Sequence, residues 1–242
     1  MPLSQSQLQK LGKRLKACVT AADLRLLDDY RRSFLAASAA VAEAVHASTG
    51  FEASQRPAKS TQAILEKLQR QTTHLGQIQD IAGCRITVPD MVAQTRALHA
   101  LLERFPEGAV KDRRVVPSHG YRAVHVVVKH GTCRVEIQIR TALQNRWALL
   151  SERMADRFGN AVKYGGGLDE VQGLLQDASQ CVAEVEAFET EFAQLEASLP
   201  HELAGDATRV SQSAAKIEER LRHARQRLND FMLSIPERLE LR

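Results

Sequence analysis

Apolar residues recur at helical spacing from Leu8 through Leu11, Leu15 and Val19 to Leu24, Leu27, Phe34, Val41 and Val45. This spacing predicts two or three amphipathic helices over residues 3–48, closed by Ser48-Thr49-Gly50. Residues 58–71 predict a further helix that starts through Arg56-Pro57, where a proline is tolerated. The period then changes. Ile78 to Val88 is a β-branched run stopped by Pro89 and reads as a strand. Helical spacing returns over 91–104, and 110–116 reads as a short strand before Pro117. Residues 120–141, GYRAVHVVVKHGTCRVEIQIRT, set two alternating runs either side of His130-Gly131 and predict a hairpin. A helix over 142–157 follows, then a glycine break in KYGGG at 163–167, then two long amphipathic helices over 168–198 and 207–233 joined around Pro200 and Gly205. The order is helices, then β-α-β-β-β-α, then helices. It predicts an α+β fold, a mixed β-sheet flanked by helices, organised as a helical extension (1–50), a core (51–167) and a second helical extension (168–242). The C-terminal pair carries no sustained heptad, so packing back onto the core is expected over a coiled-coil partner surface.

Alternation along the hairpin carries chemistry as well as fold. Suppose His130-Gly131 is a two-residue loop. Lys129 then pairs with Thr132, His125 lies opposite Glu136 and Tyr121 opposite Arg140. Tyr121, His125, Glu136, Gln138 and Arg140 fall on one face, and Val135, Ile137 and Ile139 on the other. A three-residue loop would mix polar and core positions. A half-solvated antiparallel sheet has the same alternation. A carboxylate, an imidazole, an aromatic ring and arginines on one small patch are also a set that coordinates a metal, stacks a base and neutralises phosphates. Asp80, opening the 78–88 strand, offers a second carboxylate, while Arg85 stands within that strand at the opposite parity. Either Gly83 marks a bulge between them or the two act separately. An aspartate at a strand start is commonly a turn residue, but two carboxylates on neighbouring strands are a recurring oxygen-ligand set for Mg²⁺ in phosphoryl transfer.

Composition narrows the setting. An apolar content of 44% over 242 residues is ample for a core, and aromatics are scarce at 5%. No apolar stretch approaches the ~20 residues of a membrane span, and the N-terminal segment lacks a continuous apolar leader, so a soluble cytoplasmic protein is expected. Cysteines 18, 84, 133 and 181 are too scattered to indicate a disulfide framework or a zinc site. The net charge of +4 is unevenly spread: residues 54–167 hold 18 Lys and Arg against 9 Asp and Glu. Residues 168–198 hold eight acids and no Lys or Arg. A basic excess around the hairpin points to a nucleotide or nucleic-acid ligand, unless the charges are simply solvated surface.

Four stretches occur in order: RPAKSTQAILEKL, QDIAGCRI, GYRAVH and VEIQIRT, followed by a Trp-Ala helix and KYGGG. Together they resemble the nucleotidyltransferase-like synthetase domain of the RelA/SpoT family over about residues 50–167. The histidine and His-Asp motifs of the family's hydrolase domain are missing upstream, so the resemblance is to a small single-domain alarmone synthetase. It implies a nucleotide pyrophosphokinase that moves the β,γ-pyrophosphate of ATP to the 3′-hydroxyl of GDP or GTP with Mg²⁺. By the same resemblance Asp80 and Glu136 would be the catalytic and metal-binding carboxylates. Arg56, Lys59, Lys67 and Arg85 would hold ATP; Tyr121, His125, Gln138 and Arg140 would hold the acceptor. It also brings a homo-oligomer or a neutralising antitoxin as partners, and two other outcomes: a toxic synthetase acting on the 3′-CCA end of tRNA, or an inactive nucleotide- or RNA-binding module. The chain departs from the family pattern at Arg56-Pro57-Ala58-Lys59, at Ala63 and in the loop Val116-Pro-Ser-His-Gly-Tyr121. The shortened loop lacks the usual Lys and Asn, a loss that Arg113 and Arg114 would offset.

Overall fold

The computed structural model describes residues 3–56, 58–70, 72, 74–202 and 207–240. Its contacts resolve two compact units, the first made of Met1–Ile86, Ala97–Lys111 and Val124–Ile139, the second of Thr87–Arg96, Asp112–Ala123 and Arg140–Arg242.

In the first unit, Ser4 and Gln7 form a capping box for helix α1 (Gln5–Ala17), and the Thr20 side chain caps α2 (Ala21–Arg32). Helix α3 (Leu35–Thr49) ends on Gly50 at φ 74, a left-handed position that glycine fills without a Cβ penalty. The predicted spacing resolves into these three helices. Leu8, Leu11, Leu15, Leu27 and Phe34 pack with Ile64 and Leu68 of α4 (Thr61–Arg70), so the N-terminal extension is part of a core.

Strands β1 (Ser54–Arg56), β2 (Ala82–Val88), β3 (Ala109–Asp112), β4 (Val124–His130) and β5 (Cys133–Thr141), with α5 (Met91–Arg104) after β2, form one mixed sheet in the order β1-β2-β5-β4-β3. One face buries Cys84, Ile86, Val124, Val126, Val135 and Ile137. Arg56 is on a strand rather than at a helix start, because the residue before a proline is pushed to extended backbone; Pro57 itself lies outside the described residues. Strand β2 begins at Ala82, not Ile78: Ile78 and Ile81 are both buried in the helical core at a spacing of three, after a 3₁₀ turn over Leu75–Gln77. Asp80 therefore sits in the loop ahead of β2. Strand β3 stops at Asp112, whose carboxylate accepts from the Arg114 amide at 2.9 Å and turns the chain.

The second unit is built on α6 (Ala142–Phe158), α7 (Asp169–Glu202) and α8 (Ala207–Glu240). Both C-terminal helices are longer than expected, and α7 runs through Pro200 to Glu202; Gly205 lies outside the described residues. Val171, Leu175, Val182 and Val185 of α7 and Leu221, Ala224 and Leu228 of α8 share a core with Trp147, Leu150 and Met154 of α6. The acidic run on α7 is met by α8, with Arg225 on Glu189 and Arg227 on Glu184, both at 2.8 Å. Among the described residues no helix is long and apolar enough to cross a membrane. The four cysteines are free.

Candidate active site

Two carboxylates organise the polar side of the first unit. Asp80 is gripped by two ammonium groups: Lys59 Nζ is 3.0 Å from Oδ2, and Lys67 Nζ, from α4, is 2.8 Å from Oδ1. Burial acts first, to raise its proton affinity, but the charges and hydrogen bonds of Lys59 and Lys67 outweigh it and hold the carboxyl at about 2. Glu136 of β5 is bound on both oxygens. His125 Nδ1 lies 3.0 Å from Oε1, while Arg56 Nη1 at 3.1 Å and the Gln138 amide at 2.8 Å donate to Oε2. Burial again pushes upward, the hydrogen bond and charge of His125 and the Gln138 bond pull down further, and Glu136 is held at about 2; the charge of Asp80 opposes this. Both carboxylates are therefore ionised at neutral pH.

Local backbone explains how these groups meet. The Lys59 amide donates to the Ile81 carbonyl at 2.8 Å, tying the segment before α4 to the segment after Asp80. Ser60 caps α4 through the Ala63 amide, which sets the helix that carries Lys67. Gly83 stands in regular register opposite Arg56, so no bulge separates Asp80 from Arg85 in the β1–β2 ladder. The need for glycine is one of space: a Cβ there would overlap the carbonyl oxygen of Glu136. Arg85 lies opposite Ser54, two residues from the Arg56–Gly83 pair, and so shares the face of Arg56.

The hairpin register differs from expectation by two residues. The loop is Gly131-Thr132, not His130-Gly131, and His125 pairs with Gln138 while Val127 pairs with Glu136. Gly131 has φ 58 and takes the first loop position, where a tight hairpin turn needs positive φ. The expected loop would have put His130 there. A shift of two preserves parity, so the polar face survives, and His125 reaches Glu136 diagonally across the ladder.

Tyr121 is not on β4. It follows a tight turn in which Ser118 and Tyr121 exchange backbone bonds of 3.1 and 3.0 Å around His119 and Gly120, both at positive φ. In this second unit Arg140 is 4% exposed, donates to the Tyr121 hydroxyl at 3.2 Å and lies 5.1 Å from the centre of its ring. Asn145 supplies a further bond to Arg140 at 3.4 Å. The turn is anchored by α7, where Ser179 donates to the Gly120 carbonyl at 2.7 Å. No motif in the sequence indicates Asn145, Ser179 or the buried Glu186, which accepts from Thr141 and Gln144 at the start of α6. The first unit therefore brings together Arg56, Lys59, Lys67, Asp80, Arg85, His125, Glu136 and Gln138, and the second joins Tyr121 to Arg140.

Asp80 and Glu136 are the oxygen donors available to a metal in the cluster. Among the described residues no group of three or more His, Cys, Asp and Glu forms a metal site of its own. Two carboxylates that leave other positions to substrate oxygens and water suit Mg²⁺ rather than a protein-enclosed metal.

Residues 56–155 match the model of the RelA_SpoT family, described as a region found in RelA / SpoT proteins. The uncharacterized protein Rv1366 of Mycobacterium tuberculosis is 39% identical over 155 residues, 57% of either chain. The GTP pyrophosphokinase YjbM of Bacillus subtilis is 33% identical over 146 residues, 53% of this chain and 65% of that protein. The chain thus spans about three fifths of the length of the curated relatives it matches. The crystal structure of small alarmone synthetase 1 from Bacillus subtilis shares the fold, with a TM-score of 0.52 at 24% identity over 73% of this chain and 97% of that one. Residues 56–155, which hold Asp80 and Glu136 of the polar cluster, are thus similar to the region found in RelA / SpoT proteins.

Proposed function

We propose that the protein transfers the β,γ-pyrophosphate of ATP to the ribose 3′-hydroxyl of GDP or GTP, giving (p)ppGpp and AMP. The observation that carries this reading is the cluster itself: two ionised carboxylates interleaved with Lys59, Lys67 and Arg56. Such a set has metal ligands and phosphate partners in one place, and each neutralises the other until substrate arrives. The match of residues 56–155 to the RelA_SpoT region and the likeness to YjbM support the class of reaction.

In this reading Lys59, Lys67, Arg56 and Arg85 leave their resting partners for the oxygens of ATP. Bound Mg²⁺ would be held by Asp80 and Glu136 and would offset phosphate charge. The 3′-oxygen attacks the β-phosphorus, a new O–Pβ bond forms, the bond from Pβ to the α,β-bridging oxygen breaks, and AMP leaves with that electron pair. Glu136, aligned by His125 and Gln138, accepts the hydrogen bond of the 3′-hydroxyl. A carboxyl held at about 2 is a poor proton store at neutral pH, so the proton passes on to solvent. Tyr121, steadied by Arg140, offers its ring to the acceptor base.

Transfer to the 3′ end of tRNA is the second reading, favoured by the twofold basic excess over residues 54–167. Incubation with γ-labelled ATP, Mg²⁺ and GDP, GTP or bulk tRNA separates the two. Label on the guanine nucleotide is expected, and its loss in Asp80→Asn and Glu136→Gln. Label on tRNA alone would replace the first reading by the second. No transfer to any acceptor by a wild-type protein that still binds nucleotide would leave a binding module.

A further inference from the structure

The segment that carries Lys59 is held by a residue outside the matched family region. Arg31 stands in the last turn of α2, and its guanidinium is spread over the backbone ahead of α4. Nε donates to the Lys59 carbonyl at 2.7 Å, Nη2 to the Ala58 carbonyl at 3.3 Å and Nη1 to the Thr61 hydroxyl at 3.3 Å. Asp28, one turn earlier on α2, accepts from Nη1 at 3.0 Å and fixes the fork from behind. The other side of the same residue is tied by the Lys59 amide, which donates to the Ile81 carbonyl. Lys59 is thus clamped between α2 and the residue that follows Asp80, and its ammonium is delivered to Asp80 Oδ2.

We propose that Arg31 is a positioning residue for the phosphate-binding lysine, and that the N-terminal helices serve the site through it. The proposal rests on the reading that Lys59 takes ATP phosphate, and it extends that reading to a part of the chain the family match does not reach. The chemistry is specific to arginine. Two carbonyl oxygens and a hydroxyl need donors fanned in one plane, which a guanidinium presents and an ammonium on a flexible stem does not. Arg31 is also mostly shielded, with 20% of its side-chain surface exposed, so its bonds are less open to competition from water than those of a surface ion pair. Residues 58 and 59 form neither helix nor strand, so without the clamp their carbonyls have no ladder to return to.

Arg31→Lys keeps the charge and removes the fork; Arg31→Gln removes both. Asp23→Asn is the control, because it loosens the opposite end of α2, where Asp23 is paired with Arg14 at 2.7 Å, without touching residues 58–61. Three quantities are read: amide hydrogen exchange at Lys59, affinity for α,β-methylene ATP with Mg²⁺, and KM for ATP against KM for the acceptor. Both Arg31 variants should exchange the Lys59 amide faster, bind the analogue about tenfold more weakly and raise KM for ATP while leaving the acceptor KM in place. Asp23→Asn should lower Tm without these changes. The proposal is overturned if Arg31→Lys and Arg31→Gln match wild type in Lys59 exchange and analogue affinity, or if Asp23→Asn reproduces both losses. Should Lys59→Ala bind the analogue as wild type does, the phosphate role of Lys59 fails, and the exchange rate still decides whether Arg31 holds the segment.

Discussion

Replacing Asp80 by asparagine should make the site a better receptor for metal-free phosphate, even as it abolishes transfer. The carboxylate occupies both Lys59 and Lys67, at 3.0 and 2.8 Å, and its proton affinity falls from the ordinary 3.8 to about 2. At 1.36 kcal/mol per unit this is about 2 kcal/mol of pairing that an incoming phosphate must displace. Asparagine gives up most of that pairing. Metal-free tripolyphosphate should therefore bind Asp80→Asn more tightly than wild type, by up to about thirtyfold at low salt and less as salt rises. Titration calorimetry with tripolyphosphate, in the presence of a chelator, reads this directly. The same pairing sets a pH signature. A folded value below the unfolded one gives stability that is full above about 4 and is lost as pH falls through about 2. Urea unfolding of wild type should lose about 2 kcal/mol relative to Asp80→Asn over that interval. Equal or weaker tripolyphosphate binding by Asp80→Asn would refute the claim that the resting carboxylate masks the lysines.

Other perturbations have equally definite outcomes. Gly83→Ala should disrupt transfer out of proportion to its effect on Tm, because the new methyl meets the Glu136 carbonyl and must displace β5 at the carboxylate; near-normal turnover would contradict it. Tyr121→Phe loses the 3.2 Å bond from Arg140 but keeps the ring, so acceptor KM should rise far less than in Tyr121→Ala; equal effects would deny the ring a stacking role. Burial raises the Glu186 carboxyl above its ordinary value despite bonds from Thr141 and Gln144, so its ionisation works against folding as pH rises. Glu186→Gln should therefore be neutral or stabilising at pH 7, whereas Glu186→Leu, which takes the acceptor from the buried Thr141 hydroxyl and one bond from Gln144, should cost about 1–3 kcal/mol in urea unfolding.

Much of the fold was legible because its periods are long. Helix α5 spans Met91–Arg104 as the spacing predicts, and the buried valines and isoleucines of β4 and β5 alternate as read. Parity was legible where register was not: alternation separates odd from even, while the two-residue offset depends on which residue Gly131 allows into the turn. Strand β1 is three residues of Ser, Gln and Arg, with no apolar pattern to announce it. The carboxylates and basic residues of the first unit could be chosen by type and motif, yet their mutual pairing is a three-dimensional fact. Arg31 shows the limit most plainly. One charged residue on an amphipathic helix looks like solvated surface, and only the fold brings it to the carbonyls of Ala58 and Lys59.

Pyrophosphate transfer has a stoichiometry that no phosphate kinase or hydrolase shares. Following ATP, Mg²⁺ and GDP with the wild-type protein by ³¹P NMR measures it in one experiment. The expected result is one AMP for each GDP converted to a species bearing a diphosphate at the 3′ position, with no ADP formed from ATP. ADP and inorganic phosphate as products, or AMP released without a new 3′-diphosphate on the guanine nucleotide, would contradict it.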